Sequence, residues 1–290
     1  MADAPGGQDG TTKAGEALRA ATDRLAATSD TPRLDAELLM AHALDVSRSD
    51  LLLRHLGAAV PDGFAALVER RAAREPVAYI IGRQEFYGLD LRVSPDVLIP
   101  RGDSETLIEA ARARFETGPP ARILDLGTGS GALLLAAMDL FPDAEGVGLD
   151  ASFGAVRMAQ CNARRLGMAD RARFLRRNWR KAGWARDLGR FDLVLCNPPY
   201  VETTAELEPE VAAFEPASAL FSGLEGLDDY TILLPQVGDH LSPHGLAIFE
   251  IGHEQGDSVA AIGTAAGLQS RLHRDLAGRA RALSFTVLGH

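Results

Sequence analysis

The spacing of apolar residues changes style along the chain. Between residues 14 and 81 they recur at three- and four-residue intervals. Leu34, Leu38, Leu39 and Ala41 form one stripe, and Phe64, Leu67 and Val68 form another. Leu51, Leu52 and Leu53 follow the polar boundary Ser47-Arg48-Ser49-Asp50. This spacing predicts short amphipathic helices. Thr31-Pro32 is a helix start, with an N-cap candidate ahead of a proline in the first turn, and Arg70, Arg71 and Arg74 set positive charge at a helix C-terminus. From Glu85 to Pro100 the pattern becomes alternation broken by turn residues, which predicts a β-hairpin. Beyond it, short apolar runs at 122–126, 145–149, 172–175, 191–195, 245–251, 272–276 and 282–288 alternate with helical stretches. That order predicts an open, doubly wound, mostly parallel α/β sheet of Rossmann-like type. The implied organisation is a tail over 1–13, a helical domain over 14–84, a hairpin linker over 85–100 and a large α/β domain over 101–290.

Candidate chemistry lies where strands stop. The run 122–126 leads straight into Gly127-Thr128-Gly129-Ser130-Gly131 and then a helix, so backbone amides at a helix N-terminus face a ligand that the glycines let approach closely. Asp150 ends the next strand about 20 residues on, where an acidic side chain meets a ribose diol. Gly127, Gly129 and Ala132 also satisfy a relaxed dinucleotide pattern, which leaves a nicotinamide dehydrogenase open at this point. The third strand end is Asn197-Pro198-Pro199-Tyr200. Two prolines cannot donate to a ladder and hold the preceding residue extended, so Asn197 stands in a rigid loop with amide and carbonyl acceptors and an aromatic ring. In a doubly wound sheet these three strand ends converge at the switch in strand order. Asp103 or Ser104 serves either as cap of the helix that follows or as lining of this cleft.

Composition narrows the possibilities. A formal charge of −10 argues against broad nucleic-acid binding, although Arg164, Arg165, Arg171, Arg173, Arg176, Arg177, Arg180, Lys181, Arg186 and Arg190 crowd one region. That run reads as a solvated face or as a contact for an acidic partner or RNA. Cys161 and Cys196 have no paired spacing. No apolar run reaches the roughly 18 residues of a membrane span, and the N-terminus lacks a secretory pattern; the expected location is the cytoplasm. The scattered histidines suggest no metal.

The residues Asp125 to Gly131, Asp150 and Asn197-Pro198-Pro199-Tyr200 resemble class I methyltransferases that use S-adenosylmethionine and methylate planar nitrogen, among them adenine-N6 enzymes. Further segments narrow the likeness: Arg74-Glu75-Pro76-Val77-Ala78-Tyr79 with Gly82, Glu85-Phe86, Leu98-Ile99-Pro100-Arg101 with Asp103-Ser104-Glu105, Phe214-Glu215-Pro216 with Ala219-Leu220, Gly226-Leu227-Asp228 with Tyr230, and Glu250-Ile251-Gly252 with Gln255-Gly256. Together they resemble the peptide chain release factor glutamine N5-methyltransferase family over nearly the whole chain. The departures are Gly102 and Ser104, where the family has Pro and Thr, and Asn178, where it often has Asp.

The resemblance implies a methyltransferase domain at 101–290, with the helical domain recognising substrate. It implies methyl transfer from S-adenosylmethionine, leaving S-adenosylhomocysteine, to the glutamine of the GGQ motif of release factors. Asp125, Gly127, Thr128, Gly129, Ser130, Gly131, Asp150, Trp179 and Asn197 are then cofactor residues, with Trp179 near the adenine. Asn197, Pro198 and Tyr200 are catalytic, and with Pro199 they hold the substrate. A monomer without stable nucleic-acid binding is expected. The alternatives are adenine-N6 methylation of DNA or RNA, glutamine methylation of a ribosomal protein, and a nucleotide-binding module without catalysis.

Overall fold

The computed structural model describes residues 12–288. Most of the tail expected over 1–13 lies outside the described residues; Lys13 forms a β-bridge with Ala59. The chain divides after Gly82 into two compact units.

The first unit is helical: α1 (Ala14–Leu25), α2 (Pro32–Ala43), α3 (Arg48–Asp50) running on as a π turn over Leu51–His55, α4 (Phe64–Ala72) and α5 (Val77–Ile81). Leu18, Leu25, Leu39, Met40, Leu51, Phe64 and Val68 close its core. Thr31 precedes α2, but its side chain caps no backbone amide; its hydroxyl instead donates to Asp35 Oδ1 at 3.1 Å. Asp35 is buried, and Arg71 of α4 pairs with it at 2.6 Å. Buried Glu37 takes Arg33 and Arg48 at 2.8 and 2.7 Å.

The second unit begins with a hairpin of β1 (Arg83–Phe86) and β2 (Leu89–Arg92). Tyr87 and Gly88 form its two-residue turn, both at positive φ, as a type I′ turn requires. The ladder ends at Arg92, and residues 93–100 continue as turn and extended chain; Pro95 and Pro100 have no N–H to donate. Then follow α6 (Glu105–Arg114), β3 (Arg122–Leu126), α7 (Ala132–Leu140), β4 (Glu145–Asp150), α8 (Phe153–Arg165), β5 (Ala172–Arg176), β6 (Phe191–Cys196), α9 (Pro209–Phe214), α10 (Asp228–Val237), β7 (Leu241–Glu250), α11 (Gly256–Ala265), β8 (Leu268–Arg274) and β9 (Ala280–Val287).

The seven-stranded sheet has the order β5-β4-β3-β6-β7-β9-β8. Its first five strands are parallel, and β9 inserts antiparallel between β7 and β8. The central strands are apolar on both sides because both faces are covered. One face packs on α7, apolar except for the exposed Asp139, on α6 and α8 and on Phe86 and Leu91 of the hairpin. The other packs on Tyr230, Leu233 and Leu234 of α10, Val259 of α11 and Trp184. From β3 the chain moves outward to β4 and β5, then returns to lay β6 on the opposite side of β3. That reversal sets the ends of β3 and β6 side by side, with Leu126 opposite Cys196. The loop after each therefore opens into one crevice, the place where such sheets take ligands.

Candidate functional site

A cavity of about 610 Å³ opens above these strand ends, within the usual range for a small-molecule site. Gly127, Thr128, Gly129 and Ser130 line it together with Asp150, Trp179 and Asn197. Gly127, Gly129 and Gly131 all have positive φ, so the loop follows a path that other residues adopt only under strain. The amides of Gly127 and Thr128 donate to Leu149 O at 2.9 and 2.8 Å, tying the loop to the neighbouring strand. A Cβ on Gly127 would stand 3.2 Å from the Trp179 ring and 3.6 Å from Asn197 O. The loop, the indole and the end of β6 thus close on one another, leaving little room for a side chain at position 127.

Asp125 lies below the loop, fully buried, and Thr128 Oγ1 donates to it at 2.6 Å. Burial, reinforced by the charge of Asp150 and opposed by Thr128, lifts its pKa to about 7. Its place is structural support from beneath; it does not line the cavity. Asp150 does. Its Oδ2 accepts from Gly129 N at 2.9 Å and its Oδ1 from Ser152 N at 2.8 Å, leaving further lone pairs for hydroxyl donors. Burial raises its pKa while those amides pull it back.

Trp179 is held by a residue that the sequence reading passed over. Its Nε1–H donates to Asp229 Oδ1 at 2.6 Å, while Arg180 and the Ser222 hydroxyl donate to Oδ2 at 2.8 and 2.7 Å. Asp229 is 1 % exposed. An Asp-Asp pair before an apolar run reads as helix-start polarity, and nothing local to it signals that the second carboxylate faces inward. Asn178, where the family often has Asp, also lines the cavity, and its Oδ1 accepts from Arg180 N at 2.8 Å.

At the end of β6, Asn197 and Pro199 line the cavity. Pro198 is buried, and Tyr200 is half-buried with its hydroxyl turned to Glu250 Oε1 at 3.3 Å. Gln255 Nε2 donates to Tyr200 O at 3.0 Å. A Cβ on Gly226, at φ +68°, would fall 2.2 Å from the same oxygen, so glycine is the residue that lets the chain pass there. Ser104, one of the two capping candidates for α6, makes no cap bond. It is buried at the cavity wall, and Asn197 Nδ2 donates to its hydroxyl at 3.4 Å. Asp103 pairs with Arg281 at 2.7 Å. Glu215 receives Ile99 N at 3.2 Å and a close ion pair from Arg101, which fastens the 98–101 segment over the cavity.

The basic run is partly structural: Arg165 pairs with Asp90, Arg180 with Asp229, and Arg171, Arg176 and Arg190 donate to main-chain carbonyls. No cluster of metal-ligating side chains occurs among the described residues. None of the described helices is long and apolar enough to cross a membrane.

Residues 16–82 match the family model described as the PrmC N-terminal domain, and residues 119–223 match one described as a methyltransferase domain. The release factor glutamine methyltransferase of Rhodospirillum rubrum is 44 % identical over 258 residues, which span 87 % of this chain and 78 % of that protein. The chain belongs to the release factor glutamine methyltransferase family. The relative from Nitratidesulfovibrio vulgaris, with the same description, is 40 % identical over 270 residues, 90 % of each chain. Among solved structures, the hMettl16 catalytic domain in complex with the MAT2A 3′UTR hairpin 6 aligns with a TM-score of 0.54 at 13 % identity, covering 78 % of this chain and 82 % of that one. At that identity it shows a shared fold and nothing finer. Family membership removes the dehydrogenase left open by the Gly-rich loop, since a loop of that shape suits any nucleoside-bearing ligand.

Proposed function

We propose that the protein transfers a methyl group from S-adenosylmethionine to the side-chain amide nitrogen of the glutamine in the GGQ motif of peptide chain release factors. The observation that carries this reading is the meeting of the glycine loop, Asp150 and Asn197 at one cavity. When bound, S-adenosylmethionine supplies an electrophilic methyl on a sulfonium. The residues fit such a group: Asp150 lines the cavity with lone pairs left for a ribose diol, and Trp179 lines it beside a loop with no side chain at Gly127.

The substrate nitrogen is a weak nucleophile because its lone pair is shared with the carbonyl. Asn197 Oδ1 and the Pro198 carbonyl would each accept one hydrogen of that NH₂. Two acceptors aimed at it favour the positive charge that develops as the N–C bond forms, a preorganised electrostatic effect. The prolines at 198 and 199 fix these acceptors before substrate arrives. Alignment of this kind contributes roughly 7–11 kcal/mol to lowering a bimolecular barrier. Tyr200 would flank the amide plane, with its hydroxyl anchored on Glu250. The helical unit, which matches the PrmC N-terminal domain, would dock the release factor.

Asn197→Ala is expected to lower kcat by on the order of 10²-fold or more while leaving the Kd for S-adenosylmethionine within a small factor. Asp150→Ala should do the reverse and act mainly on that Kd. Single-turnover methylation beside calorimetric titration separates the two, and a fully active Asn197→Ala variant would overturn the acceptor role.

A further inference from the structure

Two prolines fix the start of the Asn-Pro-Pro-Tyr loop but not its end. A proline ring restrains its own φ and the residue before it, so the turn into Tyr200 is left to other contacts. They act on the Tyr200 carbonyl. Gln255 Nε2 donates to this oxygen at 3.0 Å and lies 3.4 and 3.5 Å from Gly226 O and Glu225 O. The other end of the same amide is engaged as well, since Gly252 N donates to Gln255 Oε1 at 3.0 Å. An N–H on one side and carbonyls on the other admit one orientation of the amide.

Gln255 stands at the N-cap position of α11, where a polar side chain ordinarily serves the first amides of its own helix. It makes no such bond. It reaches instead to the loop after β6, 55 residues back in the chain. The neighbouring glycines leave it the space to do so. A Cβ on Gly226 would overlap Tyr200 O and stand 2.7 Å from Gln255 Nε2, and one on Gly252 would stand 2.9 Å from Gln255 Oε1. Gly226-Leu227-Asp228, Gly252 and Gln255-Gly256 carry the family likeness without a part in the chemistry proposed above. In the fold they close on a single carbonyl of the Asn-Pro-Pro-Tyr loop.

The chain beyond that carbonyl is tied down too. Val201 N donates to Leu220 O at 2.8 Å, and Ser222 N to Val201 O at 2.9 Å. These bonds join the loop to the segment that carries Phe221 and Gly223 along the cavity wall. At the tip of the side chain, the Tyr200 hydroxyl donates to Glu250 Oε1 at 3.3 Å. With the main chain held at its carbonyl and the ring at its hydroxyl, the Tyr200 ring has one place relative to Asn197 and the prolines.

We propose that Gln255 is a positioning residue: by holding Tyr200 O it fixes the far end of the loop, and with it the ring that flanks the substrate amide. This rests on the methyl transfer to an amide nitrogen proposed above. The prolines preset the acceptor side of the loop at Asn197 and Pro198; Gln255 presets its aromatic side. Gln255 does not itself line the cavity, so its loss should cost alignment of the substrate amide and leave cofactor binding in place.

The test compares the full-length wild type with Gln255→Glu, Gln255→Met, Tyr200→Ala and the Gln255→Glu/Tyr200→Ala double variant, using release factor and S-adenosylmethionine. Gln255→Glu keeps an acceptor for Gly252 N but sets a carboxylate oxygen against Tyr200 O. Its kcat should fall by on the order of 10–100-fold, as small misplacements at a reacting centre do. The KM for release factor and the Kd for cofactor should both stay within a small factor. Gln255→Met keeps the length of the side chain and removes the donor without adding repulsion, so it should show the same split with a smaller loss. In the Tyr200→Ala background, Gln255→Glu should add nothing, because both changes act through one ring. Should Gln255→Glu fail to fold, Gln255→Met decides. Wild-type kcat in the Gln255 variants, additive losses in the double variant, or a parallel loss of cofactor affinity would each overturn the positioning role. A wild type that methylates no release factor overturns the function proposed above instead.

Discussion

At Asn197 the main chain and the side chain are fixed by different neighbours. The backbone is set by the two prolines and by the closeness of its carbonyl to Gly127; the amide rests on Ser104. The sequence makes the first half plain, since Asn-Pro-Pro at a strand end leaves little conformational choice. It hides the second, because Ser104 is 93 residues away in the chain and meets Asn197 only through the fold. Asp229 is hidden in the same way. Its three side-chain donors come from residues 179, 180 and 222, so it fixes the indole and the chain before α10 together. Asp229→Ala should free Trp179 and weaken S-adenosylmethionine binding by roughly tenfold, equivalent to ~1.4 kcal/mol. Tryptophan fluorescence and a binding titration check this; unchanged affinity with an altered emission spectrum would remove Asp229 from the cofactor site.

At the scale of elements, β3, β4 and β6 were legible because each is a short apolar run that ends abruptly in a loop with special backbone chemistry. β9 was legible too, but β8 only in part: it begins at Leu268, within Leu-Gln-Ser-Arg, a stretch with little alternation. Its extended form comes from pairing with β9, so tertiary contact overrides local preference. Leu276, which the apolar pattern drew into a strand, is exposed in the turn between the two. In the helical unit the stripes were readable, but the buried Arg71–Asp35 pair was not, since charged residues at those positions read as surface. Removing the carboxylate takes from buried Arg71 its ion-pair partner at 2.6 Å. Asp35→Ala should therefore destabilise this unit by about 3–5 kcal/mol, measured by chemical denaturation. A loss below about 1 kcal/mol would class the pair with surface ion pairs.

For the molecule as a whole, two buried carboxyls give folding an unusual pH dependence. Asp125 and Glu250 both have folded pKa values near 7, raised from 3.8 and 4.5 chiefly by burial. At these two groups the folded state therefore binds protons more tightly than the unfolded state between about 4 and 7, so their contribution to stability rises as pH falls into that window, opposed by His273, whose pKa burial lowers. The ligand-free protein should melt at a higher temperature at pH 6 than at pH 8 by scanning calorimetry, and Asp125→Asn should reduce the difference. A higher melting temperature at pH 8 would contradict this.

The overall charge of −10 and the partly paired arginine run accord with a protein substrate rather than a polyanion. The proposed role of the rigid loop at Asn197 is to hold a glutamine amide. It is tested most directly by incubating the protein with radiolabelled S-adenosylmethionine and, in parallel, release factor, ribosomal protein and DNA, then locating the label by mass spectrometry. One methyl on the side-chain nitrogen of the GGQ glutamine, absent with Asn197→Ala, is the expected result. Label on DNA or ribosomal protein alone, or on none of the three, would rule that role out.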